Sequence, residues 1–335
     1  MKSAKIAING FGRIGRFFFR AAFDAPEFDI VAINDLTDTK TLAYLLKYDS
    51  VYGRFGKNVQ GEEGDLDVDG KKIKVLAEKD PIHLPWKDLG IDIVVESTGF
   101  FTTGEKAKSH ITAGAKRVVI TAPADGVTTA LVGVNEDRFQ SAGPITCNAS
   151  CTTNSVAPVM AILLDHFKIL KASMATVHGY TATQKLVDGP DSKDLRRGRA
   201  AAVNIVPSTT GAAEAVIEAL PVLEGKFDAV AMRIPVVTGS LSLITALVDK
   251  NTTPEEINKI FSDATADPRW SKTVKVTHEQ LVSSDIIGEP YGAIIDASLT
   301  KVVDGNLINV YSWYDNEAGY TATLVEHVKR VIGLL

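Results

Sequence analysis

Along the first 150 residues, short β-branched runs alternate with stretches whose apolar positions recur at helical spacing. "KIAING" reads as a strand and residues 13 to 23 as a helix; "FDIVAIND" is a second strand and "TDTKTLAYLLKYD" a second helix. "KIKVLAE", "IDIVVESTG", "HITAGAKRVVITAP" and "TALVGVN" continue the alternation. This alternation predicts an α/β unit, a largely parallel sheet with helices on its faces. Beyond residue 150 the texture changes. A helix, "SVAPVMAILLDHF", leads to the strand "KASMATVHGY", and residues 181 to 209 then form a long polar stretch without strand periodicity. Loops of that length in compact domains are functional or disordered. A helix, "GAAEAVIEAL", precedes the β-rich runs "FDAVAMRIPVVTGSLSLITALV" and "LINVYSWYDN", which no helix separates at their turns. That pattern predicts a mostly antiparallel sheet in an α+β domain.

The expected division is a first domain over 1–150, completed by a C-terminal helix at 318–335, and a second over 151–317. At 335 residues and 45% hydrophobic, the chain is long enough for two cores. The net charge of −5, with both signs interspersed and no basic block, argues against nucleic-acid or membrane partners. No window approaches the roughly 18 consecutive apolar residues of a membrane span, and no signal-peptide pattern opens the chain. Two cysteines, Cys147 and Cys151, cannot build a disulfide framework, which points to a reduced, cytoplasmic setting.

"INGFGRIG" places Gly10, Gly12 and Gly15 between a strand and a helix, and Asp35 ends the second strand about twenty residues further on. The glycines allow a tight turn and close approach of backbone to a pyrophosphate at the helix N-terminus. A carboxylate at Asp35 accepts hydrogen bonds from ribose hydroxyls and repels a 2′-phosphate, which favours NAD over NADP. The expectation is a Rossmann-type doubly wound sheet, with "ESTGFF" (96 to 101) and "ITAP" (120 to 123) as ligand tracts or ordinary turns at further strand ends.

"NASCTTN" (148 to 154) surrounds Cys151 with small hydroxyl and amide side chains, although cysteine usually packs as a small hydrophobe. A helix begins just after it, and a helix N-terminus lowers a thiol's pKa. Among His83, His110, His166, His178, His278 and His327, His178 stands apart because it closes a strand at the mouth of the long loop. Cys151 with His178 forms a candidate nucleophile–base pair. Candidate anion binders are Ser150, Thr152, Thr181, Thr209, Thr210, Gly211, the cluster Arg196, Arg197 and Arg199, and Arg233, which sits mid-strand among apolar residues. Dinucleotide, thiol, base and anion sites together describe oxidation of an aldehyde through a hemithioacetal and a thioester, resolved by phosphate or water.

These segments, with "NDLTD", "LLKYDSVYG", "TVHGYTATQ", "DLRRGRAA", "STTGAA" and "SWYDNEAGY", resemble the NAD-dependent phosphorylating glyceraldehyde-3-phosphate dehydrogenases of the bacterial glycolytic type over essentially the whole chain. The resemblance implies that Cys151 is the nucleophile and His178 its base. It implies that Arg13, Ile14, Asp35, Thr121 and Asn316 contact NAD, with Lys79 standing where many relatives carry arginine. Thr181 and Arg233 would hold the phosphate of the substrate. Ser150, Thr152, Arg197, Thr210 and Gly211 would hold the attacking inorganic phosphate. A homotetramer is implied as well, the loop 181–209 reaching towards a neighbour's cofactor. The chain departs from the family in carrying Ser155 where relatives often have a second cysteine, which leaves any redox role of Cys147 open. Rival readings are an erythrose-4-phosphate dehydrogenase, a non-phosphorylating aldehyde dehydrogenase, and a non-catalytic or moonlighting binding protein on the same fold.

Overall fold

The apolar runs assemble into two separate sheets, each in its own compact unit. A computed structural model describes residues 3–192 and 194–335. The first unit comprises the chain through Ala130 together with Glu136–Ala149 and Leu324–Leu335; the second comprises Leu131–Asn135 and Ser150–Thr323.

In the first unit the strands follow the order Thr128–Thr129, Ile145–Cys147, Arg117–Ile120, Ile93–Glu96, Ala4–Asn9, Phe28–Asn34, Lys71–Leu76, Asp65–Val68 and Val59–Gly61. Pairing is parallel as far as Lys71–Leu76 and antiparallel over the last two strands. The central strands are buried on both faces, through Ile6, Ile8, Ile33, Val94 and Val118, which is why they read as nearly continuous apolar runs. Order reverses beside Ala4–Asn9, and crevices at the carboxyl ends of such strands are where doubly wound sheets bind ligands. Two glycines make the first turn possible. Gly10 has φ +90°, and a Cβ there would lie 2.7 Å from Thr98 N; a Cβ at Gly15 would lie 2.1 Å from Gly10 O. Lys329 and Arg330 of the C-terminal helix Ala318–Ile332 pair with Glu27 and Glu136 of the first unit.

The second unit's sheet runs Val206–Ser208, Phe227–Ile234, Ile169–Gly179, Ser240–Val248, Leu307–Tyr314, Ala293–Asp296 and Val274–Thr277, with Lys301–Val303 also against Leu307–Tyr314. It is mostly antiparallel. Two pairings are parallel: Ile169–Gly179 with Phe227–Ile234, and Val274–Thr277 with Ala293–Asp296. The long helix Cys151–His166 packs against this sheet, and Thr152 through Leu163 are all buried.

"HITAGAKRVVITAP" holds both kinds of element: "HIT" ends the helix Gly104–Thr112, and Arg117–Ile120 is strand. One local expectation needs correcting. The stretch 181–209 holds regular structure: short 3₁₀ turns at Leu195–Gly198 and Ala201–Val203, then the edge strand Val206–Ser208. Pro207 obscures that strand in the sequence, because proline is tolerated only at edges such as this one. Lys193 lies outside the described residues.

Candidate active site

Cys151 is the first residue of its helix, which starts four residues before the run "SVAPVMAILLDHF" expected to be helical and so includes the cysteine expected to precede it. Ser150 caps the helix, its Oγ accepting from Thr153 N at 3.0 Å. Ala149 before it has φ 51°, a left-handed conformation that costs a residue with a Cβ about 1–2 kcal/mol. This sharp entry sets the thiol at the positive end of the helix. His178 Nε2 lies 3.4 Å from Cys151 Sγ. The imidazole is buried near the end of the strand Ile169–Gly179, and the parallel register places Arg233 directly beside it.

His178 Nδ1 has two neighbours at 2.6 Å, the carbonyl oxygen of Gly179 and Nη1 of Arg233. The carbonyl requires a proton on Nδ1, whereas the guanidinium requires the lone pair, so only one of these is a hydrogen bond at a time. With the carbonyl bond made, the Nε2 lone pair faces the thiol. Burial and then the Arg233 charge push His178 down to about 3, against the pull of the Gly179 carbonyl. Burial also raises the Cys151 thiol, opposed by Arg233 and by hydrogen bonds from Thr152. The helix start, legible in the sequence, lowers a thiol's pKa. In the folded site burial outweighs the lowering influences, although Cys151 retains part of its surface exposed to water. Both shifts favour the uncharged forms, a thiol beside a neutral imidazole.

Tyr314, to which the sequence reading assigned no role, braces both partners. Its ring meets His178 edge-on at 5.8 Å, and its buried hydroxyl bonds Thr152 Oγ1 at 3.0 Å and Thr176 Oγ1 at 2.8 Å. Burial holds that phenol up at about 12. The only hint in the sequence was its position at the end of the apolar run "INVYSWY". Thr152 Oγ1 also lies 4.0 Å from Cys151 Sγ, so a hydroxyl that accepts from Tyr314 can still donate to the sulfur.

Asn316 is held just as firmly. Its Oδ1 accepts from Thr238 Oγ1, Gly239 N and Ser240 Oγ at 3.1–3.2 Å, which leaves Nδ2 as the free-standing donor end of the amide. Around the anion candidates, Arg197 reaches the Thr209 carbonyl at 3.3 Å, so it joins the segment carrying Thr210 and Gly211. Thr181 is tied to Thr183 and Gln184. Arg197 Nε, Arg233 Nε and Ser208 Oγ are buried without a partner, a costly state that an anion would relieve.

In the first unit, a cavity of about 540 Å³ is lined by Gly10, Gly12, Asp35 and Lys79, together with Asn9, Asn34, Ser97 and Thr98. Asp35 accepts from Phe11 N at 2.8 Å and Thr37 N at 2.9 Å, closing the glycine turn against the second strand. A Cβ on Gly12 would meet nothing within 4 Å, so backbone there faces open space where a pyrophosphate would lie. Leu36 and Phe100 also line the cavity with exposed apolar side chains, suited to the faces of a planar base. These features fit a dinucleotide. Ile14 and Gly15 form the first turn of the adjoining helix, whereas Arg13 turns to an ion pair with Asp49. Thr121 follows the strand Arg117–Ile120, and its N–H donates to the Glu96 carbonyl.

Residues 4–104 match the family model described as glyceraldehyde 3-phosphate dehydrogenase, NAD binding domain, and residues 150–316 match its C-terminal domain. A glyceraldehyde-3-phosphate dehydrogenase of Thermotoga maritima is 54% identical over 98% of this chain and 99% of its own length. Enzymes of the same name from Clostridium pasteurianum and Geobacillus stearothermophilus are each 48% identical, over 96% and 97% of both chains respectively.

The electrostatics predict how the thiol responds to its neighbours. Arg233→Leu removes a positive charge that favours the thiolate, so the rate of Cys151 alkylation by iodoacetamide should shift to higher pH and fall at neutral pH. His178→Asn should also slow alkylation at neutral pH by removing the proton acceptor. A pH profile unchanged by Arg233→Leu would contradict the role given to that charge.

Proposed function

The chain belongs to the glyceraldehyde-3-phosphate dehydrogenase family, and from that premise we propose how its own residues carry the reaction. The protein oxidises D-glyceraldehyde 3-phosphate with NAD and inorganic phosphate to 1,3-bisphosphoglycerate. The observation that carries the assignment of roles is the 3.4 Å approach of Cys151 Sγ to His178 Nε2 at a capped helix start.

In this reading Nε2 takes the thiol proton as sulfur adds to the aldehyde carbon and passes it to the carbonyl oxygen, forming a hemithioacetal on Cys151 and leaving Nε2 free again. NAD, when bound, accepts the hydride that leaves that carbon. His178 takes the hydroxyl proton as the carbon–oxygen double bond re-forms, leaving a thioester. Phosphate oxygen then attacks the thioester carbonyl and the Cys151 thiolate departs, giving the acyl phosphate. A group with a pKa of about 3 is a weak base, and the site contains a remedy. The substrate's phosphate on Arg233, with Thr181, offsets the guanidinium charge and its claim on Nδ1. The Gly179 carbonyl then holds the Nδ1 proton, and Nε2 becomes more basic once substrate is seated. Ser150, Thr152, Arg197, Thr210 and Gly211 serve the attacking phosphate; the partnerless buried donors at Arg197 and Ser208 support this over resolution by water.

For the cofactor, Gly10, Gly12, Arg13, Ile14 and Gly15 form the pyrophosphate turn and Asp35 takes the ribose hydroxyls. Lys79 and Thr121 flank the site, and Asn316 Nδ2 meets the nicotinamide amide. The first unit is thus the NAD-binding domain and the second the catalytic one. We assign the enzyme to the cytoplasm as a homotetramer. Leu186, Val187, Leu195, Val203 and Ile205 leave apolar side chains exposed along the loop 181–209, surface that a neighbouring copy would cover.

Turnover followed as reduced nicotinamide should require inorganic phosphate and proceed with NAD much faster than with NADP. Cys151→Ser should abolish it, and His178→Asn should lower kcat by about 10²–10⁴-fold, the usual worth of a positioned base. Sustained turnover without phosphate would overturn the role of the anion site. Light scattering should return the mass of four chains, and Leu195→Asp should lower it; a monomeric wild type would refute the assembly.

A further inference from the structure

Behind the wall of the dinucleotide cavity lies a buried carboxylate that the mechanism does not use. Glu96 ends the strand Ile93–Glu96 and is 1% exposed. Its Oε1 accepts from Thr98 N at 2.8 Å and from Thr98 Oγ1 at 2.5 Å. Its Oε2 accepts from Asn9 Nδ2 at 2.5 Å and lies 3.0 Å from His110 Nε2. Trp86 decides the direction of that last bond. Its indole N–H can only donate, and it sits 3.0 Å from His110 Nδ1. His110 therefore carries its proton on Nε2 and donates it to Glu96. Four donors converge on one carboxylate.

From Asn9 the chain of bonds continues along the cavity wall. Asn34 Nδ2 donates to Asn9 Oδ1 at 2.7 Å and to the Glu78 carbonyl at 2.8 Å, while Glu78 N donates to Asn34 Oδ1 at 2.8 Å. Asn9, Asn34, Glu78 and Thr98 all line the cavity. Thr98 N is also the atom against which Gly10 packs so closely that a Cβ would come within 2.7 Å. The amide that Glu96 holds is thus the one on which the glycine turn rests.

A buried charge is expensive to keep, and apolar packing of similar volume would be no less stable. We infer that Glu96 is a positioning residue for the dinucleotide: acting through Asn9 and Thr98, it sets the cavity wall from the glycine turn to Glu78 in its binding shape. The inference rests on the reading of that cavity as the NAD site.

Glu96→Gln is nearly isosteric yet cannot satisfy these donors. In one orientation its amide NH₂ faces Thr98 N–H; in the other it faces Asn9 Nδ2 and His110 Nε2–H. Calorimetric titration with NAD should show affinity at least about tenfold weaker than wild type, with kcat at saturating NAD within about threefold. Cys151 alkylation without NAD should be unchanged, because that site lies in the second unit. Trp86→Phe removes a bond at the far end of the network and should lower the melting temperature while leaving NAD affinity within about twofold. Should Glu96→Gln not fold, Glu96→Asp keeps the charge but cannot reach both pairs of donors, and it should also weaken NAD. NAD affinity equal to wild type in the folded Glu96 variant would overturn the inference, as would equal weakening in Trp86→Phe. A wild-type protein that bound no NAD would instead overturn the cofactor reading, and this inference with it.

Discussion

The contact between Cys151 Sγ and His178 Nε2 depends on two backbone features meeting: the abrupt start of one helix and the end of one strand. Each is over-determined. Ser150 caps the helix while Ala149 accepts a strained conformation to deliver the chain to it. His178 is held on its strand by the register that pairs it with Arg233, and by the Tyr314 ring, whose hydroxyl is anchored on both the helix and the strand. Because side chains alternate along a strand, a one-residue slip would turn His178 and Arg233 to the opposite face and dissolve the site. The second sheet can be seen as the device that holds this register.

The polar groups at the Glu96 carboxylate and those near the anion candidates are satisfied differently. At Glu96 four donors meet one carboxylate, so this part of the cavity wall is a closed network that rigidifies its shape, although Ser97 Oγ in the same wall is buried without a partner. Near the anion candidates, the Nε atoms of Arg197 and Arg233 and the Ser208 hydroxyl are left without partners. A closed network suits a site that must present one geometry to a large ligand. Open donors suit a site that takes and releases small anions, and in the proposed mechanism an anion on Arg233 would also raise the basicity of His178.

Much of this was legible in the chain. The strand–helix alternation of the first 150 residues led to the parallel sheet because strands buried on both faces leave an unbroken apolar signature, as Ile6, Ile8 and Val94 do. Gly10, Gly15 and Asp35 were legible through spacing, and Cys151 through its unusually polar neighbourhood. The edge strand Val206–Ser208 was not, since Pro207 and three residues of pairing leave too little pattern. Nor was the balance at Cys151, because burial is a property of the packed site and leaves no mark in "NASCTTN". Glu96 and Tyr314 were hidden for a related reason: each acts through partners far away in sequence, Asn9 for one and Thr152 and Thr176 for the other.

The central claim is that Cys151 carries the acyl group and that phosphate alone releases it efficiently. Intact-mass spectrometry of the protein, acid-quenched after mixing with glyceraldehyde 3-phosphate and NAD in phosphate-free buffer, tests it directly. The account predicts one acyl adduct, mapped to Cys151, that persists until inorganic phosphate is added and then disappears. No adduct, or an adduct on another residue, would contradict it.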